Sequence, residues 1–180
     1  VRKCPKVKIT ASSANPYLKV INNDIYSKNG KVLYSVASAK AKYKVRKSVK
    51  EIEDGAFYKN DSIKSIYLPD SVKEIGEEAF GDMENLQSIR FSRSISELDY
   101  AMFNKCKKLK TVKLPKRIQT IRGNFGGKKN CYLKKIYINA VNLKKSNLKS
   151  LPKKCKVYVK SKNVKNQVKK AGFKGKVIIR

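Results

Sequence analysis

Apolar residues return along this chain on a fixed period. Ser48-Val49-Lys50-Glu51-Ile52 recurs identically as Ser71-Val72-Lys73-Glu74-Ile75, 23 residues later. It returns in looser form as Ser94-Ile95-Ser96-Glu97-Leu98 and as Arg117-Ile118-Gln119-Thr120-Ile121, again at steps of 23. Other columns keep the same register. Phe57, Phe80 and Phe103 follow Ala56, Ala79 and Met102. Ile63, Leu86, Leu109 and Leu133 form another column, as do Ile66, Ile89, Val112 and Ile136. The last column reads Val45, Leu68, Phe91, Leu114 and Ile138. The fourth unit slips around Phe125-Gly126-Gly127, which indicates a one-residue change of loop length.

A 23-residue unit is too small to close a core, but stacked units lay each apolar side chain against its equivalent in the next coil. Each such side chain contributes roughly 1.5–3 kcal/mol on burial. The pattern therefore predicts a solenoid. Within a unit, Leu-x-x-Ile-x-Leu-Pro alternates with strand period, and Pro69 and Pro115 end the strand because proline cannot donate to a ladder. Val-x-x-Ile is a second short extended piece. Gly76-Glu77-Glu78-Ala79-Phe80 predicts a tight turn that drives Phe80 inward. Short helical or 3₁₀ pieces are expected on the outer side.

The flanks differ from the repeats. Asn29-Gly30 between extended runs signals a hairpin that lengthens one coil. Val7 and Ile9 are expected in the strand of a preceding coil, which makes the chain read as part of a longer array. Val164, Val168 and Ala171 share one helical face, Gly172 suits a helix C-terminus, and Val177-Ile178-Ile179 supplies a last strand. Helix and strand together predict a cap on the open end of the core. The fold class is thus a β-rich α/β solenoid with a parallel sheet on one face. One domain spans residues 1–180: a partial coil and hairpin-like insertion (1–42), four repeats (43–138), then a degenerate coil and cap (139–180).

The unit Leu-x-x-Ile-x-Leu-Pro-x-x-Val-x-x-Ile-Gly-x-x-Ala-Phe, nearly complete from Ile63 to Phe80, resembles the repeat of BspA-like bacterial surface leucine-rich-repeat proteins. Cys106 stands where that family often has Cys after Ala-Phe, whereas Asn60 and Met83 fill the place in other units. Arg122 replaces the family's Gly after Ile, so the fourth turn must be built differently. The resemblance implies a leucine-rich-repeat horseshoe or right-handed superhelix at a bacterial cell surface or outside the cell. It implies adhesion or protein recognition rather than catalysis.

Composition narrows the chemistry. With no His, Ser-His-Asp and Cys-His arrangements and His-ligated metals are excluded. Gly123-Asn124-Phe125-Gly126-Gly127-Lys128 lacks phosphate-loop spacing and reads as loop variation. The carboxylates Glu77-Glu78 and Glu51/Glu53/Asp54 fall on predicted turns, where solvation explains them. No cofactor and no metal site are expected. Cys4, Cys106, Cys131 and Cys155 lack C-x-x-C spacing and read as free, small apolar core residues. Asn60-Asp61-Ser62 is a formal glycosylation sequon that a bacterial-type repeat leaves unused. No apolar run is long enough for a membrane span.

Charge is extreme and uneven. The formal net charge is +31, from 44 basic and 13 acidic residues. Every acidic residue lies at or before Asp99; the 81 residues that follow carry 26 basic ones. Such a field attracts teichoic acid, sulfated glycan or other polyanions. Lys outnumbers Arg 37 to 7, and Arg is the better fork for phosphate and base recognition, so nucleic acid is disfavoured.

The repeat also specifies a surface. Between the two inward residues of each strand lies one outward residue, and stacking aligns its copies as Lys44, Tyr67, Arg90, Lys113, Tyr137 and Tyr158. A parallel column reads Ser65, Ser88, Thr111, Lys135 and Lys156. Adjacent strands lie about 4.8 Å apart, so these columns predict a basic-aromatic ligand-binding stripe. Its expected partner is a host or bacterial surface protein or glycan. The alternative is a spacer held electrostatically on anionic wall polymer.

Overall fold

The computed structural model describes residues 8–123, 125–126 and 131–180. They form a β-solenoid of about six turns, in which each coil contributes a strand to one ladder and the first four also contribute a shorter strand to a second. The first ladder contains β4 (Lys42–Lys44), β6 (Ser65–Tyr67) and β8 (Ser88–Arg90). It continues with β10 (Thr111–Leu114), β12 (Lys135–Ile138) and β13 (Lys156–Val159). The Val-x-x-Ile pieces build the second ladder as β5 (Glu51–Ile52), β7 (Glu74–Ile75), β9 (Glu97–Leu98) and β11 (Thr120–Ile121). Neighbouring coils pair in parallel with the 23-residue equivalents in register, Ile66 beside Ile89 and Ile52 beside Ile75.

The predicted columns are the core. Ile63, Leu86, Val72, Ile95 and Ile118 are fully buried, and both ladders close on the same apolar cluster. The phenylalanines stack along it. Ring centroids run 5.3 Å from Phe57 to Phe80, 5.9 Å on to Phe103 and 6.2 Å to Phe125. Phe125 thus rejoins the column despite the slipped spacing of its unit.

On the outer side the described residues form turns rather than the expected helical pieces. Left-handed backbone recurs twice per coil, at Gly55, Glu78 and Ala101 and again at Lys59, Asp82 and Lys105. Each such residue stops a helix before it can propagate, since L-residues do not string left-handed and right-handed turns together. At Gly76 the approach between coils is so close that a Cβ would lie 2.6 Å from the Asp54 backbone nitrogen. Asp54 uses this proximity to accept the Glu77 N–H at 2.7 Å. Arg122, at the equivalent place in the fourth unit, instead reaches back to Glu97 at 2.7 Å and Asp99 at 4.0 Å.

Two hairpins, not one, precede the coils. β1 (Leu18–Ile21) pairs antiparallel with β2 (Asp24–Ser27), which pairs antiparallel with β3 (Val32–Ser35). Asn22 and Asn23 both take positive φ in the first turn, as a type I′ hairpin requires. Gly30 does so in the second. β3 then joins β5 in parallel and so opens the second ladder. Ile9 does not lie in a strand, contrary to expectation. Its N–H donates to the Asn23 side chain at 3.2 Å, tying the segment to the hairpin turn. Val7, Cys4, Asn124 and residues 127–130 lie outside the described residues.

The C-terminal end is a helix and a strand, as the pattern predicts. α1 (Lys162–Lys170) buries Val164 and Val168, and Ser161 caps its start by accepting the Val164 N–H at 3.2 Å. Gly172, at φ 90°, ends it: Gly172 donates to Lys169 O and Phe173 to Val168 O, a Schellman pair. β14 (Val177–Ile179) then pairs in parallel with β13.

Each ladder is interrupted once, at different coils. The first opens between β8 and β10, and the second between β7 and β9. Arg90 and Lys113 occupy equivalent places across the first gap, and Glu74 and Glu97 across the second. Yet Glu51–Glu74 and Lys135–Lys156 stay paired, so like charge alone does not open a ladder.

Candidate functional site

The outward residues of the first ladder come together as the pairing register requires. Lys44 lies beside Tyr67, and Tyr67 beside Arg90. Beyond the gap, Lys113 lies beside Tyr137 and Tyr137 beside Tyr158. In the second column Thr111, Lys135 and Lys156 are consecutive neighbours. The five cations Lys44, Arg90, Lys113, Lys135 and Lys156 are exposed, and the three tyrosines are half-buried beneath them.

Three of these cations, Lys44, Arg90 and Lys113, do not simply extend into water. Lys44 Nζ and the Arg90 guanidinium sit over the Tyr67 ring, 5.4 and 4.8 Å from its centroid. Lys113 Nζ lies 5.9 Å from the Tyr137 centroid, and Tyr137 stacks on Tyr158 with centroids 4.7 Å apart. Such contacts contribute roughly 0.5–1 kcal/mol each at exposed sites. They hold the charged heads over the sheet and lower the entropy lost when a ligand fixes them.

Sequence reasoning missed two members, Arg180 and Lys42. Arg180 places its guanidinium 4.4 Å from the Tyr137 centroid and donates to Asn139 Oδ1 at 2.9 Å. Strand alternation carried the signal: Ile178 pairs with Tyr158, and Arg180 lies two residues further on. Lys42 also extends the second column, beside Ser65. Of the neighbouring charges, Arg93 is occupied. It donates from its side chain and backbone to Asp70, which holds that carboxyl below the usual aspartate value.

The acidic residues gather on the other ladder. Glu51, Glu53, Asp54, Glu74, Glu97 and Asp99 line a groove of about 430 Å³ along β5, β7 and β9. Burial, then Glu53 and Glu74, push the Glu51 carboxyl up from its ordinary value. The groove along β5, β7 and β9 is therefore mainly acidic, with Lys73 as its one basic lining residue among the described residues. Among the described residues, no group of three or more His, Cys, Asp or Glu is placed to hold a metal ion, and no helix is long and apolar enough to cross a membrane.

The thiols of Cys106, Cys131 and Cys155 are free and buried. Burial pushes them up to about 12, 11 and 12, so they stay protonated at neutral pH and pack as small apolar groups. Asn60, the sequon residue, is 8% exposed and donates its amide to Val36 O and Ser38 O, both at 3.1 Å. Its nitrogen serves the coil-to-coil contact.

The coil geometry defines a leucine-rich-repeat solenoid, a class that serves as a binding or scaffold module. The chain belongs to the BspA type leucine-rich-repeat family, whose model matches residues 30–157 in six copies. It is similar in fold to the pneumococcal vaccine antigen PcpA (21% identity, TM-score 0.70), over 94% of this chain and 49% of that one. A leucine rich cell surface protein from Faecalibacterium prausnitzii matches at 30% identity and TM-score 0.66, over 76% of this chain and 37% of that one. A leucine-rich repeat protein from Bacteroides capillosus shares 16% identity and a TM-score of 0.56, over 73% and 98% of the two chains. The chain therefore spans half or less of the first two proteins. No curated protein sequence matches it.

Proposed function

We propose that this chain is a recognition module displayed at a bacterial surface, and that it binds an anionic macromolecular partner across the first sheet. The observation that carries this reading is the pair of registered runs, Lys44–Tyr67–Arg90 and Lys113–Tyr137–Tyr158, in which cations are held over tyrosine rings. Tyr and Arg are enriched among the few residues that carry most of the energy of an interface. Support for a surface location comes from the family and from the cell-surface protein of Faecalibacterium prausnitzii, which the chain resembles at 30% identity. The competing reading is a spacer held on wall polymer by diffuse charge, which the Lys-rich C-terminal half favours.

The two readings differ in what an aromatic substitution does. Tyr137→Ala/Tyr158→Ala removes no charge. In recognition it lowers affinity for the bound member of a panel of heparin, wall teichoic acid, duplex DNA and matrix protein by about thirtyfold or more, since two stacked rings at roughly 1–3 kcal/mol each contribute at least about 2 kcal/mol. The slope of affinity against salt stays unchanged, because that slope counts neutralised anions. Unaltered affinity in the variant, with all native binding lost at high salt, points to the spacer instead.

A further inference from the structure

The gap in the first ladder lies in the middle of the cation-aromatic column, and its backbone shows how complete the opening is. At three other junctions of this ladder one carbonyl before the strand accepts two successive amides from the next coil. Ala41 O takes Lys64 and Ser65 at 2.7 and 3.0 Å, Lys64 O takes Gln87 and Ser88 at 2.8 and 3.3 Å, and Lys110 O takes Lys134 and Lys135 at 2.8 and 3.0 Å. Among the described residues, Gln87 O accepts neither Lys110 nor Thr111 in this way. At the strand ends, Val45 donates to Tyr67 O and Leu68 to Arg90 O, but Phe91 does not donate to Lys113 O.

The opening uncovers the core. Ile66 and Val112, the column neighbours of Ile89, are 3% and 1% exposed, whereas Ile89 is only partly buried. A cleft of about 440 Å³ forms there, within the size range of small-ligand sites. Its apolar lining is Ile89, Phe91, Leu114 and Pro115, and its charged lining is Arg90, Lys113 and the Asp70-paired Arg93. Among the described residues, no carboxylate lines it.

We propose that this cleft is an anchor site for an acidic peptide segment of a protein partner: one aromatic or aliphatic side chain enters between β8 and β10. Carboxylates flanking that side chain meet Arg90 and Lys113, and the peptide backbone takes up the hydrogen-bonding groups that the opened ladder leaves without a coil-to-coil partner. An apolar floor flanked by cations selects this chemistry over a sulfated glycan, which offers the charge without the apolar anchor. The inference rests on the sheet face being the recognition surface and names the class of partner that it takes.

The chain contains no Trp, so a probe carrying one reports its own environment. The probe is acetyl-Asp-Glu-Trp-Asp-Glu-amide, compared with the same peptide bearing Ala at its centre. Expected is a blue shift of Trp emission on binding the native chain, at least tenfold weaker binding of the Ala peptide, and loss of the shift in Ile89→Asp. Thermal unfolding of that variant checks its fold, and the peptide comparison on the native chain stands without it. Equal binding of both peptides with no shift overturns the anchor site. If Arg90→Glu/Lys113→Glu still abolishes that binding, the sheet-face reading survives its loss. Binding of heparin with no binding of either peptide also overturns the anchor site, in favour of a polyanion. If peptide and heparin binding are alike unaffected by that charge reversal, the sheet-face reading itself fails.

Discussion

Replacing Phe80 by Ala is expected to destabilise the chain by about 3–5 kcal/mol, the cost typical of removing a core aromatic ring. Phe80 is fully buried and sits between two rings of its own column, 5.3 Å from Phe57 and 5.9 Å from Phe103. A solenoid has only nearest-neighbour interfaces. The cavity therefore weakens the contact of its coil on both sides, and no distant packing compensates. Phe80→Leu keeps most of the volume and should cost under about 1.5 kcal/mol. Denaturant unfolding followed by circular dichroism measures both. An Ala variant within 1 kcal/mol of the native chain would mean that the column does not carry the core.

A second large effect is expected at the hairpin end. Asp24, 4% exposed, accepts the Ala37 and Ser38 amides at 3.1 Å each and the Tyr43 hydroxyl at 2.6 Å. Tyr43 OH also lies 3.3 Å from Tyr26 OH, so one carboxylate fastens both hairpins to the first coil. Asp24→Leu leaves these donors without their acceptor. At roughly 1–3 kcal/mol for each buried donor, the loss is on the order of 4 kcal/mol. Asp24→Asn keeps an acceptor and should be milder.

The pH dependence separates the two forms of the side chain. Burial raises the Asp24 carboxyl above its ordinary value, against the opposing pull of its hydrogen bonds from Tyr43, Ser38 and Ala37. The native state therefore holds the proton more tightly than the unfolded chain does. That contribution is full below the unfolded value and is lost as pH rises through the native one. Stability of the native chain relative to Asp24→Asn should fall as pH climbs from about 4 upward. A difference that stays flat with pH would show that Asp24 titrates as in the unfolded chain.

Much of this architecture is legible in the residues because a stacked coil must repeat its buried positions. Phe57, Phe80 and Phe103 declare the period, and the outward positions Lys44, Tyr67 and Arg90 follow from alternation alone. Val164, Val168 and Ala171 mark the capping helix for a similar reason. What the sequence hides is backbone conformation on the outer side. Gly55 signals a left-handed residue, but its equivalents Glu78 and Ala101 adopt the same conformation without glycine. Asn22-Asn23 carried a turn signal that the stronger Asn29-Gly30 obscured. The interruption at β8 and β10 leaves no trace in the pattern, since Ile89 and Val112 keep the column intact. Arg180 escaped notice because it reaches Tyr137 from beyond the last strand, not from within a repeat.

The central claim is that position on the first sheet, not net charge, determines binding. The direct measurement compares Arg90→Glu/Lys113→Glu with Lys162→Glu/Lys174→Glu, which changes charge equally at exposed residues of the cap, for affinity toward whichever panel member the native chain retains at high salt. A loss of at least tenfold is expected in the sheet variant alone. Equal weakening of both variants, with all binding gone at high salt, would contradict it.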